Sequence, residues 1–329
     1  MNDIMGTHGQ TDKHHAERTD DGYFSEIGFY PLLKILHAVS FDQDTSGYYR
    51  HCHGEKDNIN KEANFENLDI TNYEKLKELI LEVKPKAVYH LAANATTRES
   101  SMGWDNPIFD YEVNTFGTLN LLRAADELES KPHFVYASSA AVYGEPRYTP
   151  MDEEHPTNPQ SPYGVSKLSS EKYLLAYQRE RDIPATILRI FNCYGPRQPR
   201  YVMFDFLKKL KENPDELEVI GTGDQVRTYC YVSDAVEGII NAADEEASGE
   251  VFNLAGGDVI TISELAEKIV ETMGLEDRTD ISYTGESWEG DIVKLVADSS
   301  KIEEDLGFET SVGLEEGLSN LKDWFEEVY

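Results

Sequence analysis

Cysteine is scarce in this chain: three residues in 329, Cys52, Cys193 and Cys230. They are too few and too scattered for a disulfide framework or a CxxC metal site, so the thiols are expected to be reduced. His51-Cys52-His53 brings together metal-binding residue types. Adjacent residues do not readily converge on one ion, however, no distant partner is evident, and no metal is expected. Long apolar runs are missing as well. No stretch approaches the ~20 residues of a membrane span and the first residues carry no apolar signal core, so a cytoplasmic protein is expected. Positive charge is in short supply, with 30 Lys and Arg against 62 Asp and Glu and a formal net charge of −32. The acidic excess runs along the whole chain without forming a tail. Such a surface repels nucleic acid and anionic membranes, and it repels itself at low salt. Above ~1 M salt the Debye length shrinks to ~3 Å, so a salt-rich cytoplasm is the expected setting. Internal repeats and low-complexity linkers are also missing.

What is present is an alternation of strand and helix patterns with 40% hydrophobic content, enough for one large α/β domain or a two-lobed enzyme. The most informative stretch is residues 134 to 172. Phe134 to Tyr136 reads as a buried strand ending in Ser138-Ser139. A polar, proline-rich loop follows, and then Ser161 as N-cap with Pro162 at the first helical position. Tyr163 and Lys167 then share one helical face. A phenol titrates near ~10, but an ammonium beside it favours the phenolate, so this spacing argues for Tyr163 as a base near neutrality. A serine hydroxyl at the strand end can share the proton. The chemistry suggested is oxidation of a carbinol, with hydride leaving as Tyr163 takes the proton. A bare Tyr-x-x-x-Lys also falls on ordinary surface helices; strand, serine, loop length and helix together are what give it weight.

That cassette, with AVYG after the serine and SPYGVSK around the tyrosine, resembles the extended short-chain dehydrogenase/reductases. Within them it is most similar to the UDP-glucose 4-epimerase branch of the nucleotide-sugar epimerases and dehydratases. The resemblance covers about residues 29 to 329 and is most specific between 87 and 234. It implies catalytic places for Ser139, Tyr163 and Lys167, NAD as cofactor, a nucleotide sugar as substrate, and a homodimer formed through a four-helix bundle that includes the Tyr-x-x-x-Lys helix. The implied fold is a Rossmann-type doubly wound parallel sheet with a smaller C-terminal substrate lobe. Residues 23–190 with 224–246 would form the NAD-binding domain, and 191–223 with 247–329 the substrate lobe. Residues 1–22 read as an irregular start, and the glycine-rich TGGxGFIG-type turn of the family has no counterpart in GYFSEIGF, so the first strand and its turn are atypical.

Taken in order, PLLKILHAVSF (31–41) reads as the end of a first helix and a second strand. Asp42 then stands either at the adenosine ribose, as the resemblance implies, or as a solvated loop acid. NFENLDI (64–70) looks like a third strand, with Asp69 and Ile70 implied beside the adenine, and Thr71 with Glu74 suggests a capping box for a helix to about Val83. AVYHL (87–91) reads as a buried parallel strand. Leu91-Ala92-Ala93 then matches the turn beneath the nicotinamide ribose. Helical periodicity runs from about Tyr111 to Glu127, with Asn114 either on the cofactor side or as a buried capping residue. After the strand Ala185 to Ile190, the resemblance places Phe191 against the nicotinamide and Asn192 against the sugar-nucleotide phosphates. Arg227 in GTGDQVRTYCYV is implied on the diphosphate, with pairing to neighbouring acids as the alternative. Asp291 matches a ribose or uracil contact, and Trp288 stands where the family has an arginine.

Fold alone does not select the reaction. Sugar dehydratases of the family resemble Thr-Asp-Glu after the strand, because eliminating water needs an extra acid and base. Ala140 and Ala141 cannot move protons, which favours a nucleotide-sugar 4-epimerase acting through a 4-keto sugar. The competing expectation is an inactive binding or dimerisation paralogue that has lost its dinucleotide loop.

Overall fold

The computed structural model describes residues 63–94, 103–286 and 292–329. The sequence expectations for His51-Cys52-His53, Asp42, the 31–41 segment, Trp288 and Asp291 lie outside the described residues.

The first half alternates helix and strand. Helix α1 (Tyr73–Val83) leads to β1 (Ala87–His90). Then come a single turn α2 (Pro107–Asp110), a π-helical segment (Tyr111–Phe116) and α3 (Gly117–Asp126). Strand β2 (His133–Ser139), the long helix α4 (Pro162–Arg181) and β3 (Ala185–Ile190) follow. The second half contains β4 (Asn192–Tyr194), α5 (Tyr201–Glu212), β5 (Glu216–Val219), β6 (Val226–Tyr231), α6 (Val232–Asn241), β7 (Val251–Leu254), β8 (Asp258–Thr261) and α7 (Ile262–Thr272). It closes with β9 (Asp280–Tyr283), β10 (Lys294–Leu295), α8 (Ser300–Leu306) and α9 (Leu314–Val328).

Strands β1, β2, β3 and β7 form one parallel sheet in that order, with Ser139 opposite Ile190 at its end. Their unbroken apolar burial is what a sheet covered by helices requires. Leu76 and Ile80 of α1, Leu121 and Leu122 of α3 and Leu174 of α4 close over Val88, Phe134, Tyr136 and Ile187. This is an α/β fold of the Rossmann type. A second core gathers α5, α7 and α9 around Phe204, Leu207, Leu265, Ile269, Leu318 and Phe325. Beside it, β6 pairs with β4 and β10 in parallel and with β8 antiparallel.

Three local expectations are corrected. Residues 64–70 form no strand among the described residues; they run without ladder pairing into a turn at Ile70 and Thr71. Asp69 Oδ1 accepts from both the amide and the hydroxyl of Thr71 at 2.8 Å, which turns the chain out of an extended path. Thr71 is thereby occupied, and α1 is capped instead by Asn72, whose side chain accepts from the Lys75 amide. Helical structure before α3 begins at Pro107 and passes through the π segment, where apolar periodicity suggested one regular helix from Tyr111. The capping box at Thr261 and Glu264 and the Ser161 cap of α4 are formed as the sequence suggests.

Candidate active site

Strand β2 ends at Ser139, whose Oγ accepts from the Ala141 amide and starts a tight turn, Ala140–Val142. The first turn of α4 packs directly on that turn. A Cβ on Gly164 would come within 2.5 Å of the Ala141 carbonyl oxygen, so only glycine lets the helix approach this closely. The approach places Tyr163 beside the Ser139 side chain, which favours its ionised form. One turn on, the Lys167 Nζ donates to the Ala137 carbonyl at 2.7 Å and lies 5.9 Å from the centre of the Tyr163 ring. The structure therefore brings Ser139, Tyr163 and Lys167 together.

Their protonation differs from what spacing alone argued. Burial pushes the Tyr163 phenol up to about 12, opposed by the Ser139 hydrogen bond and the Arg200 charge. Burial likewise pushes the Lys167 ammonium down to about 7, against the pull of Glu171 and Asp110. At neutral pH the phenol holds its proton, and desolvation of both groups is the reason.

The side on which the resemblance puts the cofactor is built by α2, the π segment and the segment after β1. Asn114 Oδ1 accepts from the Asn94 amide at 2.7 Å, while its Nδ2 donates to the Asn94 carbonyl and to Ser166 Oγ. The π turn frees the Asn114 carbonyl to accept from Ser170 and Thr118. Asn114 thus pins the Leu91–Asn94 turn to α4. Leu91 is exposed, and Ala92 and Ala93 are half-buried with small side chains that leave their backbone open. Fully buried Asp110, which sequence reasoning missed, accepts from Asn94 Nδ2 at 2.6 Å and has its Oδ2 unpartnered among the described residues. A buried acceptor without a donor beside an open backbone turn suits a hydroxyl-rich group such as a nicotinamide ribose. Ile70 is wholly buried against Gly117, and its carbonyl accepts from Asn120, so only main chain is offered there.

Among the residues expected at the nicotinamide and sugar nucleotide, buried Phe191 packs with Ala140 and lies 6.2 Å from the Tyr143 ring. The Asn192 amide donates to the Thr228 carbonyl at 2.9 Å, and Arg227 Nη1 donates to Val226 O at 2.9 Å and Val293 O at 3.4 Å on the β6–β10 side. One further residue escaped sequence reasoning. Arg200 acts electrostatically on Tyr163, and its guanidinium stacks 4.9 Å from the Tyr201 ring centre. The only signal for it was a second arginine in GPRQPR.

Over residues 32–321 the chain matches the model of the GDP-mannose 4,6 dehydratase family. The chain belongs to this family of nucleotide-sugar epimerases and dehydratases. Among its relatives is the putative UDP-glucose 4-epimerase of Methanocaldococcus jannaschii, 34% identical over 277 residues, or 83% of this chain and 87% of that one. A solved UDP-glucose 4-epimerase from Thermotoga maritima, with UDP-glucose, is 32% identical with a TM-score of 0.77, covering 83% of this family member and 88% of that chain. A dTDP-glucose 4,6-dehydratase from Bacillus anthracis in complex with NAD is 26% identical with a TM-score of 0.69, covering 81% and 80%. Relatives of this family member thus include both epimerases and dehydratases.

Proposed function

We propose that this family member is a nucleotide-sugar 4-epimerase of the UDP-glucose/UDP-galactose type that uses NAD. The observation that carries the reading is Tyr163 lying 5.9 Å from Lys167 Nζ, on a helix packed against the Ser139 strand-end turn whose next two residues are alanines. Elimination of water from the sugar calls for an additional acid and base, and Ala140 and Ala141 offer neither. The NAD of the dehydratase structure and the UDP-glucose of the epimerase structure are taken as the ligand classes for this chain. The Leu91–Asn94 turn, Asp110, Asn114 and Lys167 would hold the nicotinamide ribose.

Bound NAD supplies a reversible hydride acceptor. The residues of the chain manage the proton and the sugar. Oxidation starts from the minor phenolate form of Tyr163, which takes the proton of the C4 hydroxyl while Ser139 holds the same oxygen. After the C4 ketone has turned its other face, Tyr163 returns the proton to that oxygen. The protonated phenol found near neutrality is the form required for the return. Lys167, anchored on the Ala137 carbonyl, keeps a positive charge near the phenol when it is protonated, and Asp110 and Glu171 favour that state. Asn192 and Arg227 would hold the diphosphate.

The reading includes a second copy of the chain as partner. Trp104, Tyr111 and Val165 expose large apolar surfaces around a cleft of about 370 Å3 between α2, the π segment and α4, and Ile108 is exposed on α2. Burying such a patch favours association.

The test is interconversion of UDP-glucose and UDP-galactose, followed by proton NMR with NAD added, for wild type and Tyr163→Phe. Wild type should equilibrate the pair, and the variant should lose on the order of 10²–10⁴ in turnover while melting normally. A 4-keto-6-deoxy product, or equal rates for both proteins, would sink the proposal.

A further inference from the structure

We propose that the ring of Tyr136 holds the charge on Lys167, which makes Tyr136 a positioning residue for the proton transfer at Tyr163. The inference rests on the 4-epimerase reading, in which that charge serves the phenol. Lys167 is only 2% exposed. Among the described residues the Ala137 carbonyl, at 2.7 Å, accepts its one hydrogen bond, and no carboxylate lies within ion-pair distance of it. Glu171, one turn along α4, is already engaged by Arg189 and Ser138, and Asp110 holds Asn94. A buried ammonium with a single neutral acceptor is costly. What faces it instead is aromatic: the Nζ stands 4.8 Å from the centre of the Tyr136 ring and 5.9 Å from that of Tyr163. The face of such a ring carries negative potential, and its attraction for a cation is strongest where water is excluded.

The strand explains why the ring is there. Alternate residues of β2 point the same way, and Ser138 donates to Glu171 of α4 from the face that also carries Tyr136. Tyr136 therefore lies under the helix that bears Lys167. Its register partners are His90 of β1 and Ile187 of β3, so the fully buried ring is fixed between two buried neighbours, with the His90 ring 5.2 Å away. The Tyr136 hydroxyl makes no hydrogen bond among the described residues. Ser170 and Thr118 lie beside it, but Ser170 Oγ donates to the Asn114 and Ser166 carbonyls and Thr118 Oγ1 to the Asn114 carbonyl. A tyrosine whose hydroxyl is idle contributes through its ring.

The titratable groups that face Lys167 are Tyr136 from β2, His90 from β1, Tyr163 and Glu171 from α4, and Asp110 from α2. Burial pushes His90 down to about 3 and Tyr163 up to about 12, so both are neutral near pH 7. Glu171 and Asp110 favour the ammonium against a burial that pushes Lys167 down to about 7. Its charge is therefore held by a narrow margin. The ring face attracts the ammonium and not the neutral amine, so removing it must lower the pH at which Lys167 titrates. A fall of about one unit would leave about a tenth of Lys167 charged at pH 7, where about half is charged in wild type.

The titration of Lys167 itself tests this, followed by carbon-detected NMR of the full-length protein labelled at the lysine ε carbon, the signal being assigned by its loss in Lys167→Arg. Tyr136→Phe should titrate within a few tenths of a unit of wild type, and Tyr136→Leu about one unit lower, the size expected of a desolvated cation–π contact. A trifluorinated phenylalanine in place of Tyr136 keeps the shape of the ring and drains its face, so it should titrate below Tyr136→Phe. An unchanged Lys167 titration in folded Tyr136→Leu would overturn the proposal. Should Tyr136→Leu not fold, equal titration in Tyr136→Phe and its trifluorinated counterpart would overturn it by itself. The measurement needs neither NAD nor sugar. Its failure would leave the epimerase reading standing, whereas failure of that reading would show as a wild type that does not interconvert the sugars.

Discussion

Asp110 is a carboxylate held where a carboxylate is costly. It is fully buried, one oxygen accepts from Asn94, and the other has no partner among the described residues. Burial pushes its carboxyl up to about 6, against the Asn94 hydrogen bond and the Lys167 charge. The folded protein therefore binds a proton here that the unfolded chain has lost between about pH 4 and pH 6. The contribution of this group is fully present below about pH 4 and is lost as pH rises through about 6. At pH 8 Lys167, itself pushed down to about 7, is mostly neutral and offers little compensation. Asp110→Asn keeps an acceptor for Asn94 and has nothing to ionise. Relative to wild type it should gain up to about 2 kcal/mol on moving from pH 4.5 to pH 8. Chemical denaturation at the two pH values measures this, and a difference from wild type that does not change with pH would refute it.

Helix α4 is fixed by a buried ion pair. Glu171 receives Arg189 Nε at 3.1 Å and Nη2 at 2.9 Å, and Ser138 donates to the same carboxylate at 2.5 Å. Arg189 extends the chain to Tyr143, and Tyr143 to Asn253. One helix and three strands are tied together directly beneath Ser139 and Tyr163. Removing one partner leaves the other charge buried, so Glu171→Ala should cost about 3–5 kcal/mol, and Glu171→Leu with Arg189→Met should recover much of that. Urea unfolding of the three proteins would show it; a double variant no better than Glu171→Ala would argue against a desolvated pair. The pairing illustrates what the sequence made legible. Ser161 and Pro162 announced the start of α4, the four-residue spacing announced Tyr163 and Lys167, and apolar runs placed β1, β3 and β7. Glu171, Arg189 and Asp110 were not legible, because their burial and partners are set by packing between elements far apart in the chain. The π segment was also hidden, since apolar periodicity over so few residues does not separate it from an α-helix. Asn64–Ile70 was misread because strand identity needs a pairing neighbour as well as an alternating pattern.

For the whole molecule the governing quantity is charge. A net charge of −32 opposes folding through self-repulsion, and it would oppose the association of two copies proposed above. The Debye length is ~10 Å at 0.1 M salt and ~3 Å at 1 M, so the repulsion that operates across the surface in dilute buffer is nearly gone in molar salt. Melting temperature should therefore climb between 0.1 M and 2 M NaCl, and the sedimentation coefficient should shift from monomer toward dimer over the same range. Two controls separate screening from other salt effects. Lowering the pH from 7.5 to 5.5 moves the chain toward its pI of about 4.5, so the salt response should flatten. Sodium sulfate at matched ionic strength should act like chloride if screening dominates, and should act more strongly if exclusion from apolar surface does. A melting temperature that ignores NaCl at pH 7.5 would show that the acidic surface is tolerated without screening. Dimerisation without any change in melting temperature would place the effect of salt on the apolar face of α4 alone.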